Sequence, residues 1–358
     1  MFQRTLLPNS APNSSPRSLL RILPSYRFLG AVLLLTLTLL LVALTHISIG
    51  ARSIAWADIF QAIFAFDSQQ FVHHIVIKQR LPRLIVALGC GAMLGLAGFS
   101  AQKMFQNPLV SSSTLGVSSG AVFFSLCAIY FFNVSENDIF IPAFLGASVA
   151  GLFTLSMTEM MNRSSISKNL HIVLAGSLVS MLFSSLSSFL MQLDPLRFAN
   201  VQDWLLGDIS PADFSDFSRV YPLALLAIGV LLCQGRSLDV MIMGEKQAHS
   251  AGVNVTRTRN ITLLCIFLLA SLVVSIVGPI GFIGLVVPHI SKLFVSEVGN
   301  KGAWLSMLIG GLLLSLSDLL ARIVIAPKVL IVGGVSASIG SIFFLCLLYF
   351  MVRDKRIS

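Results

Sequence analysis

Ten stretches of mostly apolar residues follow one another along this chain, and a stretch of that kind leaves its backbone few choices. A helix rising about 1.5 Å per residue needs about 20 residues to cross the hydrocarbon of a bilayer. Within lipid, every backbone N–H and C=O must be satisfied by the segment itself or by a closed barrel. The runs lie near residues 28–48, 83–103, 114–132, 139–161, 170–192, 217–233, 261–277, 281–296, 303–323 and 333–352; the eighth is short and contains Pro288. Of the 358 residues, 56% are hydrophobic and 11% charged, whereas a soluble domain carries roughly 25% charged residues. A soluble globular protein and a disordered chain are both excluded. The sequence therefore predicts an all-α, polytopic membrane protein with about ten transmembrane helices in contact with lipid. A flexible cytoplasmic tail is expected over 1–27, one transmembrane domain over 28–352 and a short cytoplasmic tail over 353–358.

The formal charge of +9 is explained by topology. Lysine and arginine are retained on the cytoplasmic side during insertion. With the N-terminus inside, sixteen of the 24 basic residues fall inside with five acids, and eight fall outside with ten acids. Both termini are then cytoplasmic, and no nucleic-acid partner is needed. The run from Phe28 is too long for a cleaved signal and lacks a small-x-small cleavage site, so it reads as a retained helix. The five cysteines lie in apolar runs without a C-x-x-C pair and read as small core residues.

Several motifs carry alternative meanings. No Gly-Lys dipeptide occurs, so the chain has no G-x-x-x-x-G-K-[ST] phosphate loop; any ATP must be bound by another subunit, and no cofactor or metal is expected in this one. Gly116-Val117-Ser118-Ser119-Gly120 matches a nucleophile elbow, but it opens an apolar helix, where small residues serve close packing. An intramembrane hydrolase would need His171 or His289 beside Ser118. His73-His74 reads as a polar loop rather than a metal site. Gly89, Gly91, Gly95 and Gly98, with Gly278, Gly281 and Gly284, suit close helix packing, although such helices also bend and line pathways in transporters.

Charged residues near the membrane narrow the choice further. Arg80-Leu81-Pro82-Arg83 stands at the outer end of the second run, with Pro82 fitting the first turn of a helix. Its arginines at i,i+3 suit either interfacial anchoring or an unpaired claw for carboxylates on a partner. Asp318 and Arg322, at i,i+4 in the favoured order, suit either a structural membrane ion pair or a site on the outer surface or pathway, since either alone at the midplane would cost about 2.5–3.5 kcal/mol. An outer segment, Asp194 to Asp216, holds Trp204, placed at the membrane interface by its type. An inner one, Gly235 to Asn260, is amphipathic and suits either the membrane surface or a partner. A secondary transporter would need ionisable groups near the midplane, and the off-centre Asp318–Arg322 pair is the one candidate.

Taken in order, these segments resemble the iron-siderophore and vitamin B12 class of ABC transporter permeases, the FecCD-type family, from about residue 75 to 350. The resemblance rests on Arg80-Leu81-Pro82-Arg83, Gln106-Asn107-Pro108-Leu109, Leu115-Gly116-Val117, Leu174-Ala175-Gly176 and Trp204-Leu205-Leu206-Gly207. It also rests on Gly244-Glu245-x-x-Ala248 with Gly252, Gly281-Phe282-Ile283-Gly284-Leu285-Val286-Val287-Pro288-His289, and Asp318 with Arg322.

The resemblance implies a permease that pairs with a second permease subunit, as homodimer or heterodimer, with two ATPase subunits and one substrate-binding protein. It implies import of a ferric chelate, a siderophore before vitamin B12 or haem. Gly244, Glu245, Ala248 and Gly252 would form the ATPase coupling loop, and Arg80, Arg83 and Arg322 would receive acidic residues of the binding protein. The chain departs from the family at Val329-Leu330-Ile331-Val332-Gly333, where Glu-Leu-Pro-Val-Gly is usual, and at Ser341-Ile342, where Ala-Pro is usual.

Overall fold

The computed structural model describes residues 24–50, 53–111, 113–135, 138–161, 168–209, 214–295, 299–326 and 328–355. Most of the expected N-terminal tail, the tip of the C-terminal tail, and the charges Arg4, Arg17, Arg21, Arg52, Glu136, Arg163, Asp213, Glu297 and Arg356 lie outside the described residues. No strand occurs among the described residues.

Each of the ten apolar runs forms a helix. We number the helices α1 (Pro24–Ser48), α2 (Trp56–Phe64), α3 (Phe71–Phe105), α4 (Val117–Phe132), α5 (Phe140–Met161) and α6 (Lys168–Leu193). There follow α7 (Phe214–Cys233), α8 (Gly235–Ile242), α9 (Glu245–Ser250), α10 (Val255–Val277), α11 (Ile283–Phe294), α12 (Lys301–Ile323) and α13 (Val332–Lys355). Six are long and apolar enough to cross a membrane alone, and α7 with α8, bent by 46° at Gln234, makes a seventh candidate. The helices at Val117–Phe132, Ile283–Phe294 and Val332–Leu347 are apolar but shorter.

The N-terminal half of α3 corrects the expected second span. Pro82 lies in the first α-helical turn after Leu81, as expected, but the helix is longer: it begins at Phe71 and reaches the proline through a widened π-helical stretch, Ile75–Arg80. Proline lacks an N–H and its ring presses on the carbonyl four residues earlier. A wider turn there relieves the clash without ending the helix.

Helices α3 and α10 form the interior, with 78% of the apolar window of each buried, whereas α1 is 11% buried. Most leucines of α1, including Leu29, Leu33, Leu37 and Leu41, are exposed as lipid-facing residues would be. Its buried residues Ala31, Leu35, Val42 and His46 follow helical spacing and, with Ile47 beside the last, make one narrow stripe.

Close packing between α3 and α12 depends on residues without side chains. A methyl group at Gly91 would overlap the Gly310 carbonyl, one at Gly95 the Ser306 carbonyl, and one at Gly98 the Gly284 carbonyl of α11. The packing reading of these glycines and of Gly284 therefore holds, while Gly281 faces open space.

Trp204 also departs from expectation. It is 8% exposed, not spread at an interface. The turn that carries it packs on the ends of α10 and α13: Gly333 donates its N–H to the Gly207 carbonyl at 2.8 Å, and a Cβ at Gly278 would strike the Trp204 carbonyl. Gly333 keeps this contact although the segment before it departs from the family pattern. Among the cysteines, Cys90 and Cys265 are buried, but Cys233 and Cys346 are exposed.

Candidate functional site

Two charged clusters sit at opposite ends of the antiparallel α3–α12 pair. The first gathers Arg80 and Arg83 from either side of Leu81-Pro82 in α3, Asp318 and Arg322 from the end of α12, and His46 from the end of α1. Asp318 has no exposed side-chain surface. Its Oδ1 accepts from Arg83 Nη2 at 2.6 Å and Nε at 2.9 Å, and its Oδ2 accepts from His46 Nε2 at 2.7 Å. Arg322 Nε lies 3.4 Å from the same Oδ2, so the i,i+4 pair is one arm of a larger cluster.

One carboxylate cannot balance three guanidiniums, and among the described residues the carbonyls at the end of α1 add partial negative charge. The last carbonyls of a helix have no intrahelical partner and carry the negative end of its dipole. Arg80 Nη1 donates to the Ile47 carbonyl at 2.5 Å and the Ser48 carbonyl at 2.8 Å, while Arg322 Nη2 reaches the His46 carbonyl at 3.4 Å. Arg80 and Arg322 are therefore buried, at 7% and 8% exposure. The arginines do not form an unpaired claw. The expectation failed because their acceptors lie on α1 and α12, remote in sequence, and are brought in by packing.

The second cluster lies at the other end, around the segment proposed as a coupling loop. Gly244 and Gly252 bracket α9 with φ of 110° and 80°, conformations that glycine adopts without strain. Ala248 is fully buried against the bundle. Lys246, Gln247, His249 and Ser250 are exposed and make the outward face of α9. Glu245 begins this helix. Sequence reasoning missed two groups that hold the helices before it: Lys103, which pairs with Asp239 of α8 at 2.5 Å, and Asn300, which donates to the Leu232 carbonyl of α7 at 2.7 Å. Lys103 could have been noticed as a lysine in the final turn of an otherwise apolar helix.

A groove of about 480 Å³ runs between α4 and α6 and under Pro279. Seven of its twelve lining residues are serines: Ser113, Ser118, Ser119, Ser180, Ser184, Ser187 and Ser188. No histidine or acid lines it, so Ser118 has no base there. His289 instead donates Nδ1–H to the Leu285 carbonyl of its own helix at 2.8 Å. The nucleophile-elbow reading thus fails. Ser119 and Ser187 donate to carbonyls of their own helices, leaving oxygen lone pairs to accept from a solute.

His73 and His74 are not loop residues as expected: they lie in the first turn of α3, His73 buried, and bond the preceding loop, the former accepting from the Asp67 N–H and the latter donating to the Ser68 carbonyl. Among the described residues no three His, Cys, Asp or Glu side chains converge on a metal site.

These features define a polytopic membrane subunit with a polar groove, a charge-locked end and a short bracketed helix at the opposite end. Residues 15–350 match the FecCD transport family, and the chain belongs to it. It is 30% identical over 81% of its length to the Bacillus subtilis (strain 168) protein named "Probable siderophore transport system permease protein YfiZ", covering 87% of that protein. It is 32% identical over 86% of its length to the cobalamin import system permease protein BtuC of Halobacterium salinarum, covering 80% of it. A solved inward-facing metal-chelate type ABC transporter superposes with a TM-score of 0.77 at 27% identity, covering 90% of this chain and 99% of that one.

Proposed function

We propose that this chain is the permease subunit of an ATP-binding-cassette importer that carries a ferric chelate of the siderophore class across the bacterial inner membrane. The observation that carries the reading is the serine-lined groove in a chain of this family. It offers hydroxyls for a large polar solute and no ionisable group that would trap one. The subunit makes and breaks no covalent bond. It pairs with a second permease, as a homodimer or heterodimer, so that two grooves face one passage, and two ATPase subunits supply the free energy. Both termini are cytoplasmic, which places the α9 end inside and the Asp318 end outside.

Gly244, Glu245, Ala248 and Gly252 belong to the coupling element, with Ala248 seating α9 and its exposed face offered to the ATPase. A substrate-binding protein docks at the outer end. Arg83, whose side chain is 16% exposed, is the arginine assigned to a partner carboxylate, while the more buried Arg80 and Arg322 hold the platform beneath it.

The cobalamin relative favours a second reading in which the cargo is vitamin B12. A strain lacking this chain, grown on ferric siderophores, haem or cobalamin as sole source, tests both. Loss of growth on one or more siderophores, restored by the gene, supports the first reading; loss confined to cobalamin replaces it with the second. Uptake abolished by a protonophore yet insensitive to ATP depletion would overturn both in favour of an ion-coupled secondary transporter.

A further inference from the structure

Helix α8 lies between the bend after α7 and the bracketed helix α9, and the end of α3 and the turn before α12 grip it. Asp239, in its middle, places Oδ1 2.5 Å from Lys103 Nζ in the last turn of α3. Its Oδ2 accepts the Gly299 N–H at 2.8 Å, just before α12. Lys103 Nζ also donates to the Gly235 carbonyl at 3.4 Å and stands 5.5 Å from the Phe99 ring centre. Gln106 Nε2 donates to the Met241 carbonyl at 3.1 Å. The start of α8 abuts Asn300, which occupies the space a side chain at Gly235 would need.

The Lys103 side chain is 3% exposed, so little water is available to replace Asp239 if α8 shifts away from α3. Separating such a pair leaves a buried charge uncompensated, which is costly. The same α3 and α12 are in backbone contact through Gly91 and Gly310 and are tied again at their far end through Arg83 and Asp318. A displacement of α8 is therefore poorly absorbed where it begins and is passed to both helices together.

We propose that the Lys103–Asp239 pair is a positioning strut that transmits movement of α9 into the α3–α12 pair. The proposal rests on the reading of α9 as the ATPase contact. It concerns neither the ATPase surface nor the solute path but the link between them.

The test uses the complete transporter, with its ATPase and binding protein, in proteoliposomes. Lys103→Met and Asp239→Asn are compared with Lys103→Arg and with the exchanged pair Lys103→Asp/Asp239→Lys. The readouts are ATPase retained on purification, KM for ATP, and solute imported per ATP hydrolysed. Expected for each neutralising variant are retained ATPase, unchanged KM and a fall of about tenfold in solute per ATP, the scale of a coupling change. Lys103→Arg and the exchanged pair should recover most of it.

An unchanged import ratio in the neutralising variants overturns the strut. So does loss of the ATPase that the exchanged pair fails to restore, since the residues then serve assembly alone. If the neutralising variants do not reach the membrane, the exchanged pair decides: recovery of both amount and ratio supports the strut, and recovery of amount alone overturns it. Absence of ATP-dependent import in the unmodified complex would overturn the transport reading itself, and is distinguishable because it appears before any substitution.

Discussion

The two ends of the α3–α12 pair are each closed by a carboxylate, but the carboxylates are placed differently. Asp318 has no exposed surface and serves His46, Arg83 and Arg322 together. Asp239 keeps 17% of its side chain exposed and serves one lysine and one backbone N–H. At the first end the charges interlock three helices, and moving any one of them strands the others. At the second, a single pair joins one short helix to the bundle, so a shift of that helix loads one buried lysine and its carboxylate rather than a network. The Asp318 end is built as a fixed joint and the Asp239 end as a connection that can bear movement.

That contrast is most directly broken at Asp318. Asp318→Ala should leave buried cations without their counter-charge and destabilise the protein by about 3–5 kcal/mol, read as a lower unfolding midpoint in detergent. A midpoint equal to that of the parent would remove the fixed-joint description. Gly98→Val should come next, because a side chain there meets the Gly284 backbone rather than a yielding side chain. Overpacking of this kind costs about 1–3 kcal/mol, and normal stability would show that the backbone contact between α3 and α11 is not needed.

Smaller effects separate the two ends more finely. Arg83→Lys keeps the charge but loses the paired N–H donors to Asp318, and about 1.5 kcal/mol is expected from losing a charge-assisted hydrogen bond. A neutral pair at the other end, Lys103→Met with Asp239→Asn, should lower stability by no more than about 1 kcal/mol, since replacing both members of a buried pair leaves no charge uncompensated. A loss equal to that of Asp318→Ala would erase the distinction. Glu245→Arg should leave unfolding unchanged and reduce uptake in cells; normal uptake would remove Glu245 from the coupling element.

Much of this arrangement was legible in the chain, and the parts that were not share a cause. The glycine spacing announced the close crossing, the i,i+4 interval placed Asp318 near Arg322, and the polar stretch around Glu245 to Ala251 announced the short helix α9. In each case the informative residues are neighbours on one helix or turn. His46 gave no such signal: a lone histidine at the end of an apolar run has no partner within reach of its own helix. Lys103 and Asp239 lie on segments whose separation in sequence hides their pairing. The outward claw was misread for the same reason, because the carbonyls at Ile47 and Ser48 that receive Arg80 become acceptors only at the end of a helix packed beside it.

By itself the sequence determined that the chain lives in lipid as a series of helices. Long apolar runs must satisfy their own backbone groups there, and the helix does so using residues four apart. It also determined, through the distribution of lysine and arginine, the sidedness expected of those helices. Which charges meet was decided only by tertiary structure. A buried ion requires a counter-charge within a few ångströms, and for Asp318 and Asp239 most of that counter-charge comes from other helices, brought close by glycines that let the backbones approach.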